Sequence, residues 1–119
     1  MNKFLLSVIL VGSIFLSFAH AEEGGISNKL KWVTGSELNN FGFDVFRGDD
    51  EEGPFVRINE DTIAGAGSID TPTNYQFIDD TIEPGKAYWY YVESISMSGV
   101  REKFTPTFKA KAKSPKAES

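Results

Sequence analysis

A small antiparallel β-sandwich is the fold this sequence predicts, and three observations carry the prediction. Past residue 25 no stretch keeps apolar residues at helical spacing for more than a turn or two. Short alternating runs rich in aromatic and β-branched residues recur instead, separated by Gly, Pro, Asn and Asp. The chain has 119 residues, 40% hydrophobic and 13% aromatic, which suits one domain with one core and is too apolar for a disordered chain.

The elements follow in chain order. Residues 1–21 read as a signal peptide. Lys3 supplies the positive n-region, residues 4–18 form an apolar run broken by Ser7, Gly12, Ser13 and Ser17, and Ala19-His20-Ala21 places small residues where a signal peptidase reads. The run is shorter than the roughly 20 residues that span a bilayer. Cleavage is expected after Ala21, with no transmembrane segment afterwards and a secreted or periplasmic product. The first strand is expected at residues 26–34, with Leu30 and Trp32 on one face and Lys29 and Lys31 on the other. Residues 35–40 read as a turn and 41–47 as a strand with Phe43 and Val45 in phase. Residues 48–54 form an acidic turn, 55–59 a short edge strand, and 60–74 a long connection containing Gly65-Ala66-Gly67. Residues 75–78, 87–96 and 100–108 complete six strands. Met97-Ser98-Gly99 makes the last hairpin, and Pro106 implies an edge or a bulge. The domain is bounded at 22–110, and residues 111–119 read as a basic disordered tail.

Composition removes whole classes of chemistry. The chain has no Cys, and its one His, His20, leaves with the signal, so the remaining 98 residues offer neither thiolate nor imidazole. Ser-His-Asp, Cys-His and zinc-hydrolase arrangements are excluded on that reading. No catalytic residue, metal ligand or cofactor is assigned, and the protein is expected not to be an enzyme. Residues 22–100 hold 15 acidic and 5 basic side chains, whereas 101–119 hold 6 basic and 2 acidic. An acidic body argues against nucleic-acid binding. Asp49-Asp50-Glu51-Glu52 lacks the spacing of a calcium loop and reads as a solvated hairpin. Arg47-Gly48-Asp49 spells an adhesion tripeptide but reads as ordinary turn chemistry.

The corner at residues 82–88 carries the best fold evidence. Ile82 is an apolar anchor, Pro84-Gly85 a turn, and Tyr88 opens the longest strand, where its ring can be buried and its hydroxyl can bond to upstream backbone. With Trp32 on an early strand, this resembles the fibronectin type III family. Residues 36–47 (SELNNFGFDVFR) and 52–55 (EGPF) look like the fibronectin-type modules of bacterial secreted proteins. The resemblance spans residues 26–108. It implies a sandwich of fibronectin type III or immunoglobulin-like type with Trp32 and Tyr88 as structural residues. Only residues 22–25 precede the Trp-bearing strand after cleavage, so the first strand of the sandwich is expected to be short or missing. The resulting edge either pairs with another chain or is blunted by Lys29 and Lys31, and blunting is the reading taken.

Alternation along the longest strand places Tyr88, Tyr90, Val92 and Ser94 inward, so Trp89, Tyr91, Glu93 and Ile95 point outward. Phe46 is out of phase with Phe43 and Val45 and joins them. Phe46, Trp89 and Tyr91 are therefore the candidate binding face of an exported binding or adaptor module. Its partner is a protein or, alternatively, a cell-wall carbohydrate. Cross-strand stabilisation is the competing role for these rings.

Overall fold

Period-two burial builds the core. From Asn28 to Thr34, Asn28, Leu30, Trp32 and Thr34 are buried while Lys31 between them is exposed. Along the longest inner strand Tyr88, Tyr90, Val92 and Ser94 are buried in the same way. The computed structural model describes residues 9–11 and 25–115, and all its regular elements are strands. In chain order they are β1 (Ile9–Val11), β2 (Asn28–Thr34), β3 (Glu37–Gly48), β4 (Phe55–Arg57), β5 (Ile63–Ile69), β6 (Thr73–Asp79), β7 (Tyr88–Ser96), β8 (Arg101–Lys103) and β9 (Phe108–Ala110).

The strands form two antiparallel sheets. The smaller has the order β1-β2-β6. The larger is centred on β3 and β7. β4 and β5 follow one another along the free edge of β3, and β8 and β9 do the same along β7. Leu30 and Trp32 from the small sheet meet Phe43, Val45, Tyr88, Tyr90 and Val92 from the large one. Trp32 stands edge-on to Phe43 at 5.5 Å and stacks on Tyr75 at 5.8 Å, which fixes the two layers against each other.

Both outer edges of the large sheet break at the same level. Val45 and Val92 are direct partners across β3 and β7. On one side the Val45 N–H donates to Asn59 Oδ1 at 2.8 Å, and its carbonyl accepts from Ile58 N. On the other, the Val92 N–H donates to Thr105 Oγ1 at 2.9 Å, and its carbonyl accepts from Phe104 N. A side chain thus replaces a strand carbonyl on each edge, so the ladder is interrupted while the N–H and C=O of Val45 and Val92 stay paired.

Four expectations change. Residues 35–40 are not all turn, because β3 begins at Glu37, whose carboxylate binds the Ala66 N–H of β5. Residues 60–74 are not a loop, because Ile63–Ile69 pairs with the first half of β3. Residues 100–108 are two strands rather than one, parted around Thr105 and Pro106. The chain also stays on the body through Lys113 rather than leaving it at residue 110. Its carbonyl accepts from Gly85 N at 2.6 Å, and its ammonium donates to the Ser27 carbonyl. Burial pushes that ammonium down to about 8.

The first strand is short, at three residues, and it comes from an unexpected place. Ile9–Val11, inside the segment read as a signal peptide, lies along β2 with Leu10 opposite Trp32. The rest of that segment, His20 included, and residues 116–119 lie outside the described residues.

A buried polar clasp joins the sheets at one end. Asn28 Nδ2 donates to Tyr90 Oη at 2.8 Å, Tyr90 Oη donates to Asp79 at 2.5 Å, and Arg47 Nη1 reaches both Asp79 oxygens at 2.9 and 3.2 Å. Replacing Tyr90 with Phe keeps the ring and strips a donor from Asp79 and an acceptor from Asn28. The expected loss is about 1–3 kcal/mol of unfolding free energy, read as a lower urea midpoint at unchanged slope. An unchanged midpoint would show that the clasp contributes nothing.

Candidate functional site

The outer face of the large sheet divides in two, because β3 and β7 carry different side chains along their outward phase. In the aromatic half, register sets Phe46 opposite Tyr91, and the rings stack at 5.0 Å with 9° between their planes. Phe55 of β4 meets Tyr91 edge-on at 5.1 Å. Trp89 lies two residues along β7, opposite Lys109. The Lys109 ammonium sits 5.3 Å from the Trp89 ring centre, and Lys103 sits 4.8 Å from that of Tyr91. Phe46, Tyr91, Trp89 and Phe55 all remain half-exposed. Register thus brings the three sequence-selected residues onto one face, with Phe46 and Tyr91 in contact.

The polar half is one that sequence reading missed. Asp44 lies in the same outward phase yet is fully buried. Asn59 Nδ2 and Thr62 Oγ1 donate to its Oδ1 at 2.9 and 3.0 Å, and Arg101 donates to its Oδ2 at 3.0 Å. Arg101 also holds Glu93 at 2.7 Å, and Arg57 lies 3.5 Å from Asp44. Ile95, expected outward, is likewise covered, at 6% exposure. The connection from β4 to β5 and the start of β8 roof this half over, so no open site remains around Asp44. Only the partners' positions, far away in sequence, could have revealed it.

The turn motifs are occupied structurally. Arg47 belongs to β3 and is bound to Asp79 and Thr81, so the Arg-Gly-Asp tripeptide does not present its guanidinium. Asp49 faces Lys86 at 3.4 Å. Among the described residues no group of three His, Cys, Asp or Glu side chains could hold a metal ion, and no helix is long and apolar enough to cross a membrane. A second apolar feature was not foreseen. Leu38, Phe41, Ile69, Met97 and Val100 are all exposed near the hairpin end of the large sheet, where Met97 N donates to the Asn39 carbonyl.

At the opposite corner the Tyr88 ring is buried, and its hydroxyl accepts from Glu83 N at 3.0 Å, five residues upstream. β4 and β5 pair with β3, whereas an immunoglobulin constant domain places its fourth strand beside the fifth. The fold is a fibronectin type III-like sandwich. No family model and no curated protein matches this sequence. A solved structure, the crystal structure of a Fn3-like protein from Clostridium thermocellum, aligns over 98% of this chain and 95% of that chain. The two are 24% identical, with a TM-score of 0.47.

Three buried carboxylates set the electrostatics of this sandwich. Burial alone would raise Glu37, but bonds from Tyr75, Asn40, Ala66 and Thr34 outweigh it and hold the carboxyl below its ordinary value. Asp44 and Asp79 are lowered by the same balance, through Asn59 and Arg101 for the first and Tyr90, Thr81 and Arg47 for the second. A folded value below the unfolded one gives stability that is complete above the unfolded value and lost as pH falls through the folded one. Urea midpoints should therefore be level from about pH 7 to about pH 5 and fall below about pH 4. Glu37→Gln should make that fall shallower. A level midpoint down to about pH 3 would contradict the assignment.

Proposed function

We propose that the protein is an exported, non-enzymatic binding module that engages a protein partner through the outer aromatic face of its larger sheet. One observation carries the reading. Phe46, Tyr91, Phe55 and Trp89 form a half-exposed aromatic surface on paired strands, where large rings bury much area at low entropic cost. The export part rests on the layout of residues 1–21, with a positive n-region, an apolar run and small residues at the cleavage site.

The ammonium groups favour a protein over a sugar. A pyranose stacks on an open ring face, but Tyr91 lies between Phe46, Phe55 and Lys103, and Trp89 lies beneath Lys109. Two lysines beside aromatic rings match a partner surface with carboxylates around an apolar centre. A locally basic aromatic face on a body with an excess of acidic residues gives the encounter a direction as well as an area.

The test compares the parent with a Trp89→Ser/Tyr91→Ser double variant. Each is immobilised and probed with envelope proteins from the producing cells and, separately, with soluble cell-wall glycans. Saturable protein binding that weakens at least tenfold in the variant is expected, with the sandwich retained by circular dichroism. Losing the Phe46–Tyr91 stack should cost about 0.5–1.5 kcal/mol of stability. Undiminished binding by the variant would sink the proposal, and Trp89-dependent glycan binding would replace the protein partner with a carbohydrate.

A further inference from the structure

The small sheet shows a strand site whose occupant is borrowed. β2 pairs through all seven residues with β6 on one side, from Asn28 opposite Asp79 to Thr34 opposite Thr73. On its other side, among the described residues, Ile9–Val11 pairs with Lys31, Trp32 and Val33. Those three residues are an Ile-Leu-Val run from the segment whose layout marks it for removal. The core side chains among the described residues run from Ile26 to Ala110, beyond that segment.

We propose that the β2 edge is a strand-docking site. In the full chain Ile9–Val11 fills it; after the segment leaves, an extended apolar segment of a partner protein pairs antiparallel with Lys31–Val33. This rests on the export reading given above. A vacated edge presents a row of backbone donors and acceptors that another strand can pair directly. The register states what kind of segment fits. The residue opposite Trp32 follows the inward phase, and the residue opposite Lys31 follows the outward one. An uncharged or acidic residue suits the second position, because a basic one would set like charges directly opposite. A proline at the position opposite Trp32 would break the run.

The experiment uses the full chain with a protease site inserted after Ala21, cut only once the protein has folded. Hydrogen exchange is followed at the β2 amides that point away from β6. Three states are compared: before cutting, after the released segment is washed away, and after adding a synthetic peptide of residues 7–13 (SVILVGS). Exchange at those amides is expected to rise at least tenfold on release and to return towards its first value with the peptide. The Leu10→Pro peptide should leave it high, and β3 and β7 should stay protected throughout. No rise on release, or no recovery at saturating peptide, overturns the proposal. Loss of protection across β3 and β7 also overturns it, since β1 would then be part of the fold and not a guest. Protection regained without peptide at doubled mass by light scattering makes the occupant a second copy and overturns the partner assignment. The mass of the protein recovered from producing cells tests the export reading by itself. An uncut chain would sink that reading and leave the peptide result standing as a property of the edge.

Discussion

Two buried carboxylates, Asp79 and Glu37, hold the sheets of this sandwich together, and the rest of the architecture depends on them. The chain has no cysteine, so no covalent link is available between its layers. Asp79 closes β6 and meets Tyr90 and Arg47 of the large sheet. Glu37 opens β3 and accepts from Thr34 of β2, Tyr75 of β6 and Ala66 of β5. A buried carboxylate is tolerable only when its oxygens are fully bonded. Glu37 receives donors from both sheets, and Asp79, itself on the small sheet, receives Tyr90 and Arg47 from the large one. Sliding β6 by one residue against β2 would turn Asp79 to the opposite face and strand it. The clasps thus reinforce the register that the apolar alternation of β2 and β6 also specifies. They differ in kind. Asp79 is neutralised by a guanidinium, whereas Glu37 is held by hydroxyl, amide and backbone donors, so its charge is spread over dipoles.

With the layers fixed at both ends, the middle of the large sheet can give up its regular ladder. Asn59 and Thr105 replace strand carbonyls beside Val45 and Val92, and the flanking strands break into β4 with β5 and β8 with β9. The breaks decide what the outer face becomes. Where the β4–β5 connection and the start of β8 close over Asp44, the face is sealed by side-chain hydrogen bonds and ion pairs. Where β4 and β9 lie flat beside β3 and β7, it keeps its rings half-exposed. An aromatic surface next to a charge-locked roof is held by paired strands instead of loops, so its rings have little conformational freedom left to lose in the contact proposed for them.

What was legible in the sequence follows the same physics. Alternation over Leu30, Trp32, Phe43, Val45, Tyr88, Tyr90 and Val92 is strong because these side chains fill the core, and each lies where its phase predicts. β5 was hidden because its sequence, IAGAGSI, carries neither β-branched weight nor polar alternation. Gly65 allows a close approach, since a Cβ there would stand 2.5 Å from Asn40 Nδ2, and Gly67 takes a left-handed φ of 75°. The early start of β3 was hidden likewise, since Gly35, Ser36, Asn39 and Asn40 spell a turn. Asn39 does take a left-handed conformation, at φ 53°, but inside a strand, where the register shifts between Glu37 and Gly42. Asp44 and Glu37 look like surface charges in a linear reading. Their burial depends on Arg101 and Tyr75, partners 57 and 38 residues away that no local pattern reveals. The aromatic face was legible as a set of phases, but the lysines above it come from β8 and β9, where the sequence pattern predicts a single strand over 100–108.

The two surfaces of the sandwich are independent for a structural reason. The aromatic face belongs to β3, β7 and their flanking strands, and the β2 edge belongs to the other sheet. Between them lies a core in which Trp32 stacks on Tyr75 and Phe43 stands edge-on to both. β1 adds backbone pairing at three positions to a layer that β6 holds along its whole length. Exchanging what lies beside β2, as proposed for that edge, leaves the β2–β6 pairing and the buried clasps in place. A domain in which polar clasps fix the register of the remaining strands can change that neighbour without changing its fold.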